Sequence, residues 1–206
     1  MDMDFSLDGR YLLTGGLDGC VKMWLTEEGR CLVKYRSLSY PVWFVRFSPK
    51  NRVFMVAYQN SVVQFFNTDD IQEVYHKHIS VGDITAVGWS PLSNYYLVGF
   101  SNGMITVLTT DPGYLDSMNQ KQKDNYRLLL GNGLDVTAIS YMPKSNFVVV
   151  GYADGSLTAF NLKNCHVLAT TKAHKRCIRK ILCDSNKGIM TTISEDGYVK
   201  IWEIQV

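Results

Sequence analysis

Short runs of alternating apolar and polar residues follow one another along the chain and are separated by turn signals. The last run, over residues 198–204, alternates as Tyr-Val-Lys-Ile-Trp, the pattern of a pleated strand with one buried face. It follows a tight turn, 194–197, in which Gly197 supplies a conformation that a Cβ would oppose. A second apolar run, 188–193, precedes that turn. The pattern therefore predicts short antiparallel strands joined by tight turns.

This order of strand, turn and strand recurs along the whole chain in three columns of equivalent residues. The apolar residue that ends each first strand is Phe5, Phe47, Trp89, Tyr141 and Cys183. The matching residue of each closing strand is Trp24, Phe66, Leu108, Phe160 and Trp202. The turn dipeptides are Asp18-Gly19, Asn60-Ser61, Asn102-Gly103, Asp154-Gly155 and Asp196-Gly197. Successive members are 42, 42, 52 and 42 residues apart, the period of a four-stranded propeller blade with one insertion.

The repeats predict an all-β fold, a β-propeller with five blade units. The unit bounds are about 1–36, 37–76, 77–130, 131–171 and 172–206, with an insertion over 109–125. The predicted outer strands of the first four units are 31–35, 71–75, 126–130 and 165–170. The fifth unit lacks an outer strand, so we expect a larger or incomplete ring. A closed ring of five blades is the alternative.

The final segment, 173–206, resembles a full WD40 repeat, with its Ala-His opening, Asp-Gly turn and closing tryptophan. The resemblance implies a WD40 β-propeller and a structural tetrad of hydrogen-bonded side chains: His174, Thr192, Asp196 and Trp202. At the hydroxyl position the other units carry Thr14, Val56, Val98 and Val150. At the histidine position the second to fourth units carry Leu38, Ser80 and Asn132. Because a partly satisfied buried network is worse than an apolar core, we expect the middle blades to depend on burial.

A closer resemblance covers residues 15–94. Its motifs are Asp18-Gly19 with Trp24, Tyr40-Pro41-Val42-Trp43, Phe47-Ser48-Pro49 and Asp83-Ile84-Thr85. They are similar to the WD40 domain of the TBP-associated subunit shared by TFIID and SAGA-type coactivators. The resemblance implies a nuclear, non-catalytic scaffold that binds other protein subunits, among them histone-fold transcription factors. The insertion and the missing middle tetrads depart from the family pattern.

Composition and charge narrow the functional classes. At 206 residues and 46% hydrophobic, the chain can bury a core, and its net charge of +2 argues neither for nor against nucleic acid. The five cysteines are odd in number and lack C-x-x-C spacing, so we expect neither a disulfide framework nor a zinc site, and a reducing, intracellular location. No run approaches the roughly 18 apolar residues of a membrane span, so we expect no membrane partner.

Candidate chemistry is sparse. Asp69, Asp70, His76 and His78 could suggest a metal site, but no second group of ligands accompanies them, and solvated loop residues are commoner. The glycines at 15–16 precede no G-x-x-x-x-G-K motif and so do not indicate a phosphate loop. We therefore expect no enzyme activity, no metal, no cofactor and no small-molecule substrate.

The residues at the start of each first strand, here called the strand-start positions, are candidates for partner binding. They are Tyr40, Trp43, Asp83, Thr85, Asp135, Thr137, Arg176 and Arg179. In propellers these positions meet at one end of the channel, and tyrosine, tryptophan and arginine are frequent interface anchors. The alternative is that Trp43 packs between neighbouring blades.

A basic run overlaps the last strand-start positions: Lys172, Lys175, Arg176, Arg179 and Lys180. Without a wider basic excess or interleaved aromatic residues, a solvated face or a protein partner is favoured over direct nucleic-acid binding. Two functions remain: a protein-protein interaction scaffold of the transcription-coactivator type, and a peptide or nucleic-acid recognition module, such as a substrate receptor or reader, that uses the channel mouth.

Overall fold

The computed structural model describes residues 2–36, 38–50, 53–70, 73–79, 82–90, 95–109, 127–130, 133–142, 147–162, 166–184 and 188–203. Within these ranges nineteen strands form five antiparallel sheets, four with four strands and one with three. The predicted all-β fold class is confirmed, with antiparallel sheets of the size expected for propeller blades. The chain divides into two compact units, Met1–Ile84 and Thr85–Val206. Among the described residues, no helix is long and apolar enough to span a membrane.

The N-terminal unit contains two sheets in which the strands follow chain order. The first sheet consists of β1 (Asp2–Phe5), β2 (Tyr11–Gly15), β3 (Val21–Leu25) and β4 (Arg30–Tyr35). The second sheet consists of β5 (Val42–Phe47), β6 (Val53–Tyr58), β7 (Val62–Asn67) and β8 (Glu73–His78).

The C-terminal unit contains the other three sheets, the first strand of which begins at the unit boundary. The third sheet consists of β9 (Ile84–Trp89), β10 (Tyr95–Phe100), β11 (Met104–Thr109) and β12 (Arg127–Leu130). The fourth consists of β13 (Val136–Tyr141), β14 (Phe147–Tyr152), β15 (Ser156–Asn161) and β16 (His166–Lys172). The fifth has three strands: β17 (Ile178–Asp184), β18 (Ile189–Ser194) and β19 (Val199–Glu203). Of the insertion predicted over 109–125, only Thr109 lies within the described residues.

Several strand bounds differ from the sequence-based expectation, most of all in β8. It was predicted over 71–75 but runs Glu73–His78, so His76 lies inside the strand. The reason is the pairing with β7, in which a bulge between Phe65 and Phe66 places Glu73 opposite Phe66 and His78 opposite Val62. β16 was predicted over 165–170 and runs His166–Lys172, exposed along its length. Outer strands take their bounds from the neighbouring strand, because they have little apolar pattern of their own.

All five sheets share one register between their second and third strands. The closing-strand residues lie opposite equivalent partners in pairs: Leu12 with Trp24, Phe54 with Phe66, Tyr96 with Leu108, Val148 with Phe160, and Met190 with Trp202. The turn that joins these strands has a positive φ in every sheet, at Gly19, Ser61, Gly103, Gly155 and Gly197. Ser61 is the non-glycine member, and its hydroxyl donates to the Gly82 carbonyl at 2.7 Å. The regular spacing in the sequence therefore corresponds to a repeated sheet geometry.

Within each compact unit, the first strand of a sheet packs against the preceding sheet, and β13 contacts β10. β5 contacts β1 and β2, and β17 contacts β13 and β14. Glycine at one position of the second strand leaves room for this approach: a Cβ added at Gly15, Gly99 or Gly151 would lie within 3.0 Å of the following sheet's first strand. Apolar side chains between the sheets form the cores. The sheets are therefore held together by close packing across their faces.

Candidate functional site

The four side chains of the predicted tetrad are joined in one hydrogen-bonded chain within the fifth sheet. His174 Nδ1 lies 3.0 and 3.2 Å from the Asp196 carboxylate oxygens, and its Nε2 lies 2.8 Å from Thr192 Oγ1. Trp202 Nε1 donates to the same Thr192 oxygen at 3.0 Å. The Asp196 carboxylate only accepts, so His174 Nδ1–H donates to it. In this tautomer Nε2 accepts from the Thr192 hydroxyl, whose oxygen in turn accepts from Trp202. One histidine tautomer satisfies the whole chain.

The Asp196 carboxylate also receives backbone hydrogen bonds at the start of the fifth unit. Lys175 N donates at 2.9 Å and Tyr198 N at 3.1 Å. Desolvation acts to raise the pKa of Asp196, but the hydrogen bonds from Lys175, Tyr198 and His174 outweigh it and lower the pKa to about 2. The group is therefore ionised at neutral pH and connects the segment before β17 to the turn between β18 and β19.

This arrangement can hold strands together, and it offers little to a substrate. The His174 side chain is fully buried, and both of its ring nitrogens have partners. General acid–base catalysis requires a nitrogen within reach of the reacting group. The histidine is therefore suited to architecture.

The first sheet keeps part of the same network, whereas the next three replace it. Trp24 Nε1 donates to Thr14 Oγ1 at 2.9 Å. A backbone hydrogen bond from Cys20 is the main cause of the lowered pKa of Asp18. In the second to fourth sheets the hydroxyl position is valine, fully buried in each case: Val56, Val98 and Val150. Leu38, at the histidine position of the second sheet, packs on the apolar cluster of the N-terminal unit, while Ser80 and Asn132 lie outside the described residues.

In the N-terminal unit the strand-start positions expose aromatic side chains. Tyr40 is 47% exposed and Trp43 is 44% exposed. Trp43 is the second residue of β5, and Asp83 is an exposed residue just before β9. Nearly half of the Trp43 side chain thus remains available for contact.

In the C-terminal unit two of the strand-start residues already have internal partners. The Thr85 hydroxyl donates to the Gly99 carbonyl at 3.2 Å. The Thr137 hydroxyl lies 2.5 Å from the Ile178 carbonyl and 3.2 Å from that of Gly151. A hydroxyl has one proton to donate, so both threonines stabilise the strands instead of presenting a donor outward.

The charged strand-start residues of this unit remain on its surface. Asp135 and Arg176 are exposed, at the starts of β13 and β17. Arg179 is also exposed and forms an ion pair with Glu195. Because β17 packs against β13, the structure places these residues on neighbouring sheets of one unit.

Carboxylates neutralise part of the positive charge of the basic run. Lys172 forms a 2.7 Å ion pair with Asp154, in addition to the pair between Arg179 and Glu195. Lys175, Arg176 and Lys180 are exposed. The two ion pairs reduce the charge of the run, which favours a protein surface over a phosphate-binding one.

The sequence analysis missed two carboxylates that join the first sheet to the second. Asp2 accepts from Val45 N at 3.2 Å and forms an ion pair with Arg46. Asp4 accepts from Phe47 N at 2.8 Å, and burial raises its pKa. The signal was present in the alternation Asp-Met-Asp-Phe, which places both carboxylates on one side of β1.

The arrangement of the described side chains supports neither the candidate metal site nor a reactive cysteine. His76 and His78 are exposed on β8, and among the described residues no group of three or more histidine, cysteine or acidic side chains could hold a metal ion. Burial raises the pKa of the Cys183 thiol, which opposes formation of the nucleophilic thiolate.

A protein-family model matches two separate stretches of the chain. The model, described as "WD domain, G-beta repeat", matches residues 1–24 and 165–203. The first stretch covers β1 to β3 up to Trp24, and the second includes β16 to β19. The two stretches contain the two threonine–tryptophan pairs described above, Thr14 with Trp24 and Thr192 with Trp202.

Curated relatives match most of the chain at low identity. A zebrafish protein, "p21-activated protein kinase-interacting protein 1-like", is 21% identical over 95% of this chain and 50% of its own length. "Protein hir1" of Schizosaccharomyces pombe is 23% identical over 96% of this chain and 19% of its own length. "Transcription initiation factor TFIID subunit 5" of Caenorhabditis elegans is 23% identical over 78% of this chain and 23% of its own length. The chain thus spans half or less of the length of these relatives.

Proposed function

We propose that the protein is a non-catalytic scaffold that binds other proteins through its strand-start positions. The observation that carries the proposal is the pair of half-exposed aromatic side chains, Tyr40 and Trp43, at the start of the second sheet. Large aromatic residues that stay exposed on a folded surface are typical interface anchors. In the C-terminal unit, Asp135, Arg176 and Arg179 supply charged groups that can select a partner.

The internal state of the reactive residues supports a non-catalytic role. His174 is buried with both nitrogens engaged, and the pKa of the Cys183 thiol is raised. The names of the relatives point the same way, since one is an interacting protein of a kinase and another is a subunit of TFIID.

The finer form of the proposal is a subunit of a nuclear transcription initiation or coactivator complex, with histone-fold transcription factors among its partners. Two observations support it: the similarity of residues 15–94 to the WD40 domain of the TBP-associated subunit, and the match to TFIID subunit 5 of Caenorhabditis elegans. The first of these concerns the region that contains Tyr40 and Trp43.

The test is purification of the tagged chain from its native cells, with the mass of the assembly measured by native mass spectrometry. Trp43→Ser and Arg176→Glu, separately and together, should release partner subunits while the far-ultraviolet circular dichroism stays unchanged. Val167→Ser on β16 and Lys34→Glu on β4 are matched controls, because both residues are exposed away from the strand-start positions.

The outcomes separate the two functional classes. Loss of a multisubunit assembly in the variants, with the controls unaffected, supports the scaffold. Loss of one short peptide or RNA with the assembly intact would identify a recognition module instead. An unchanged assembly in the double variant would show that these positions do not bind partners. The finer form fails if the released subunits are not transcription factors.

A further inference from the structure

The segment between β4 and β5 carries an exposed hydroxyl next to the exposed aromatic residues. Ser39 lies in this segment, directly before Tyr40. Its side chain is exposed, whereas every other serine that the structure describes is buried or half-buried. Several of those serines hold the fold through side-chain hydrogen bonds: Ser6, Ser61, Ser156 and Ser194. The Ser39 hydroxyl forms no hydrogen bond with the described residues, so it is available for modification.

The backbone on either side of Ser39 is held in place outside any strand. The carbonyl oxygens of Leu38 and Tyr40 lie against the turn between β2 and β3, since a Cβ added to Gly19 would lie 2.8 and 2.9 Å from them. Tyr40 precedes Pro41, and a residue before proline is restricted to extended conformations. A hydroxyl in such a surface segment can enter the cleft of an enzyme without breaking the hydrogen bonds of a sheet.

The exposed threonines of β16 lack this freedom. Thr170 and Thr171 are exposed, but they pair with Thr158 and Leu157 of β15. An enzyme that draws this strand into its cleft must first open the sheet locally. None of the five residues before Thr170 or Thr171 is lysine or arginine. Ser39 is therefore the better acceptor in the part of the chain that the structure describes.

Positive charge precedes Ser39 at a regular spacing. Arg36 lies three positions before it and Lys34 lies five positions before it, and both side chains are exposed. Three residues of extended chain span about 10 Å. The guanidinium of Arg36 can therefore contact carboxylates beside an enzyme's active site while the Ser39 hydroxyl occupies that site. Protein kinases select their substrates by charge patterns of this kind.

We propose that Ser39 is phosphorylated by a protein kinase that selects basic residues before the acceptor, and that the phosphate releases a partner bound at Tyr40 and Trp43. The release depends on the proposed function, whereas the phosphorylation does not. In the reaction, Ser39 Oγ attacks the γ-phosphorus of the ATP that the kinase supplies. An oxygen–phosphorus bond forms, and the bond to the oxygen between the β- and γ-phosphorus atoms breaks. ADP leaves, and the hydroxyl proton passes to the catalytic aspartate of the kinase.

The phosphate changes the charge of a surface that otherwise offers aromatic rings. It carries about −1.5 to −2 charges at pH 7 and is strongly hydrated. Tyr40, the next residue, is 47% exposed, so a partner that covers this ring must also remove water from the phosphate. Such a charge in an apolar interface opposes binding through its desolvation cost. We expect partner binding to weaken at least about tenfold.

The first test asks whether Ser39 is a substrate in the folded chain. The full chain is incubated with the catalytic subunit of cAMP-dependent protein kinase, ATP and Mg²⁺, and the phosphate is located by mass spectrometry of its peptides. We expect a phosphate at Ser39 that is lost in Ser39→Ala and kept in Ser37→Ala, which removes the neighbouring hydroxyl outside the described residues. A chain without phosphate, or with phosphate at Ser37 instead, overturns the proposal.

The second test examines the charge pattern and the accessibility of the hydroxyl. Arg36→Ala should lower kcat/KM for phosphorylation at least about tenfold. Arg30→Ala is the matched control, because Arg30 is an exposed residue of β4 that lies nine positions before Ser39. Equal losses in the two variants would contradict recognition of the local pattern. A synthetic peptide of residues 32–43 that reacts more than about a hundredfold faster than the chain would show that the fold hides Ser39, which also overturns the proposal.

The third test concerns the partner. The tagged chain is purified with its partners from native cells, treated with the kinase and washed, and the retained subunits are measured. The unmodified chain should lose its partners, and Ser39→Ala treated in the same way should keep them. If Trp43→Ser releases the partners but phosphorylation does not, the regulatory role is wrong and the proposed function stands. If neither change releases them, the proposed function and the regulatory role both fail, and the first test alone decides whether Ser39 is a phosphorylation site.

Discussion

The second and fifth sheets occupy equivalent places in the repeat but are stabilised in different ways. In the second sheet Val56 and Phe66 are fully buried, and Phe66 stacks on Phe54 with ring centroids 5.1 Å apart. In the fifth sheet the same two positions hold Thr192 and Trp202, which are joined by a hydrogen bond. The repeat therefore specifies a geometry and leaves the chemistry at each position open.

The two sheets also differ in how much of each is covered. The second sheet buries Val63 and Phe65, whereas their equivalents in the fifth sheet, Val199 and Ile201, are exposed. Apolar burial contributes about 25 cal/mol per Å² removed from water, so a sheet with one open face gains less from it. Hydrogen bonds among His174, Thr192, Asp196 and Trp202 add to the apolar burial on the covered side of the fifth sheet.

The largest expected effect on stability is the loss of a buried aromatic ring in the second sheet. Phe66→Ala should lower the free energy of unfolding by about 3–5 kcal/mol, because it removes a fully buried ring and leaves a cavity. Urea denaturation followed by circular dichroism measures it. Phe5→Ala is the control, since Phe5 is largely exposed, and it should cost less than about 1 kcal/mol. Equal losses in both variants would show that the aromatic cluster does not stabilise the second sheet.

Exchanging threonine and valine between the equivalent positions 192 and 56 should destabilise both sheets. Thr192→Val leaves His174 Nε2 and Trp202 Nε1 without their partner, and we expect a loss of about 2–3 kcal/mol. Val56→Thr places a hydroxyl in an apolar cluster and should cost about 1–3 kcal/mol. Thermal unfolding of the two single variants checks both numbers. A neutral Thr192→Val would show that the tetrad is dispensable.

The close approach between sheets should be sensitive to one methyl group. Gly151→Ala would bring a Cβ against Ile178, and we expect a loss of about 1–3 kcal/mol from overpacking. Gly29→Ala is a useful control because nothing lies within 4 Å of the added atom, although its φ of +61° adds about 1 kcal/mol of backbone strain. Urea denaturation should rank Gly151→Ala below Gly29→Ala in stability, and the opposite order would contradict the packing argument.

The smallest expected effects are on the pH dependence of stability, and they have opposite signs for Asp196 in the fifth sheet and Asp4 in the first. The pKa of Asp196 is about 2, below its ordinary value of 3.8, so its contribution is present above pH 3.8 and is lost as the pH falls toward 2. Burial raises the pKa of Asp4, so protonation of this group as the pH falls favours the folded state. Melting temperatures between pH 2 and 7 should therefore fall less steeply in Asp196→Asn and more steeply in Asp4→Asn than in the unmodified chain. If both variants show the same slope as the unmodified chain, neither group is linked to folding.

The repeat spacing was sufficient to predict the five sheets, their turns and the register of Trp24, Phe66, Leu108, Phe160 and Trp202. These features depend on local alternation and on turn residues, which the sequence shows directly. The bounds of β8 were wrong because β7 sets that strand's register. The contacts of Asp2 and Asp4 with β5 were missed because they join residues that are more than forty positions apart. The exposure of Tyr40, Trp43, Val199 and Ile201 depends on which surfaces are covered, and no local pattern contains that information.

The central position of Thr192 has a consequence for how such a repeat can change over generations. Its single oxygen serves both Trp202 and His174, so one substitution there breaks two bonds at once. We expect that replacing threonine and tryptophan by valine and phenylalanine one residue at a time passes through sequences with an unpaired buried polar group. Such intermediate sequences should be less stable than the starting pair or the final pair.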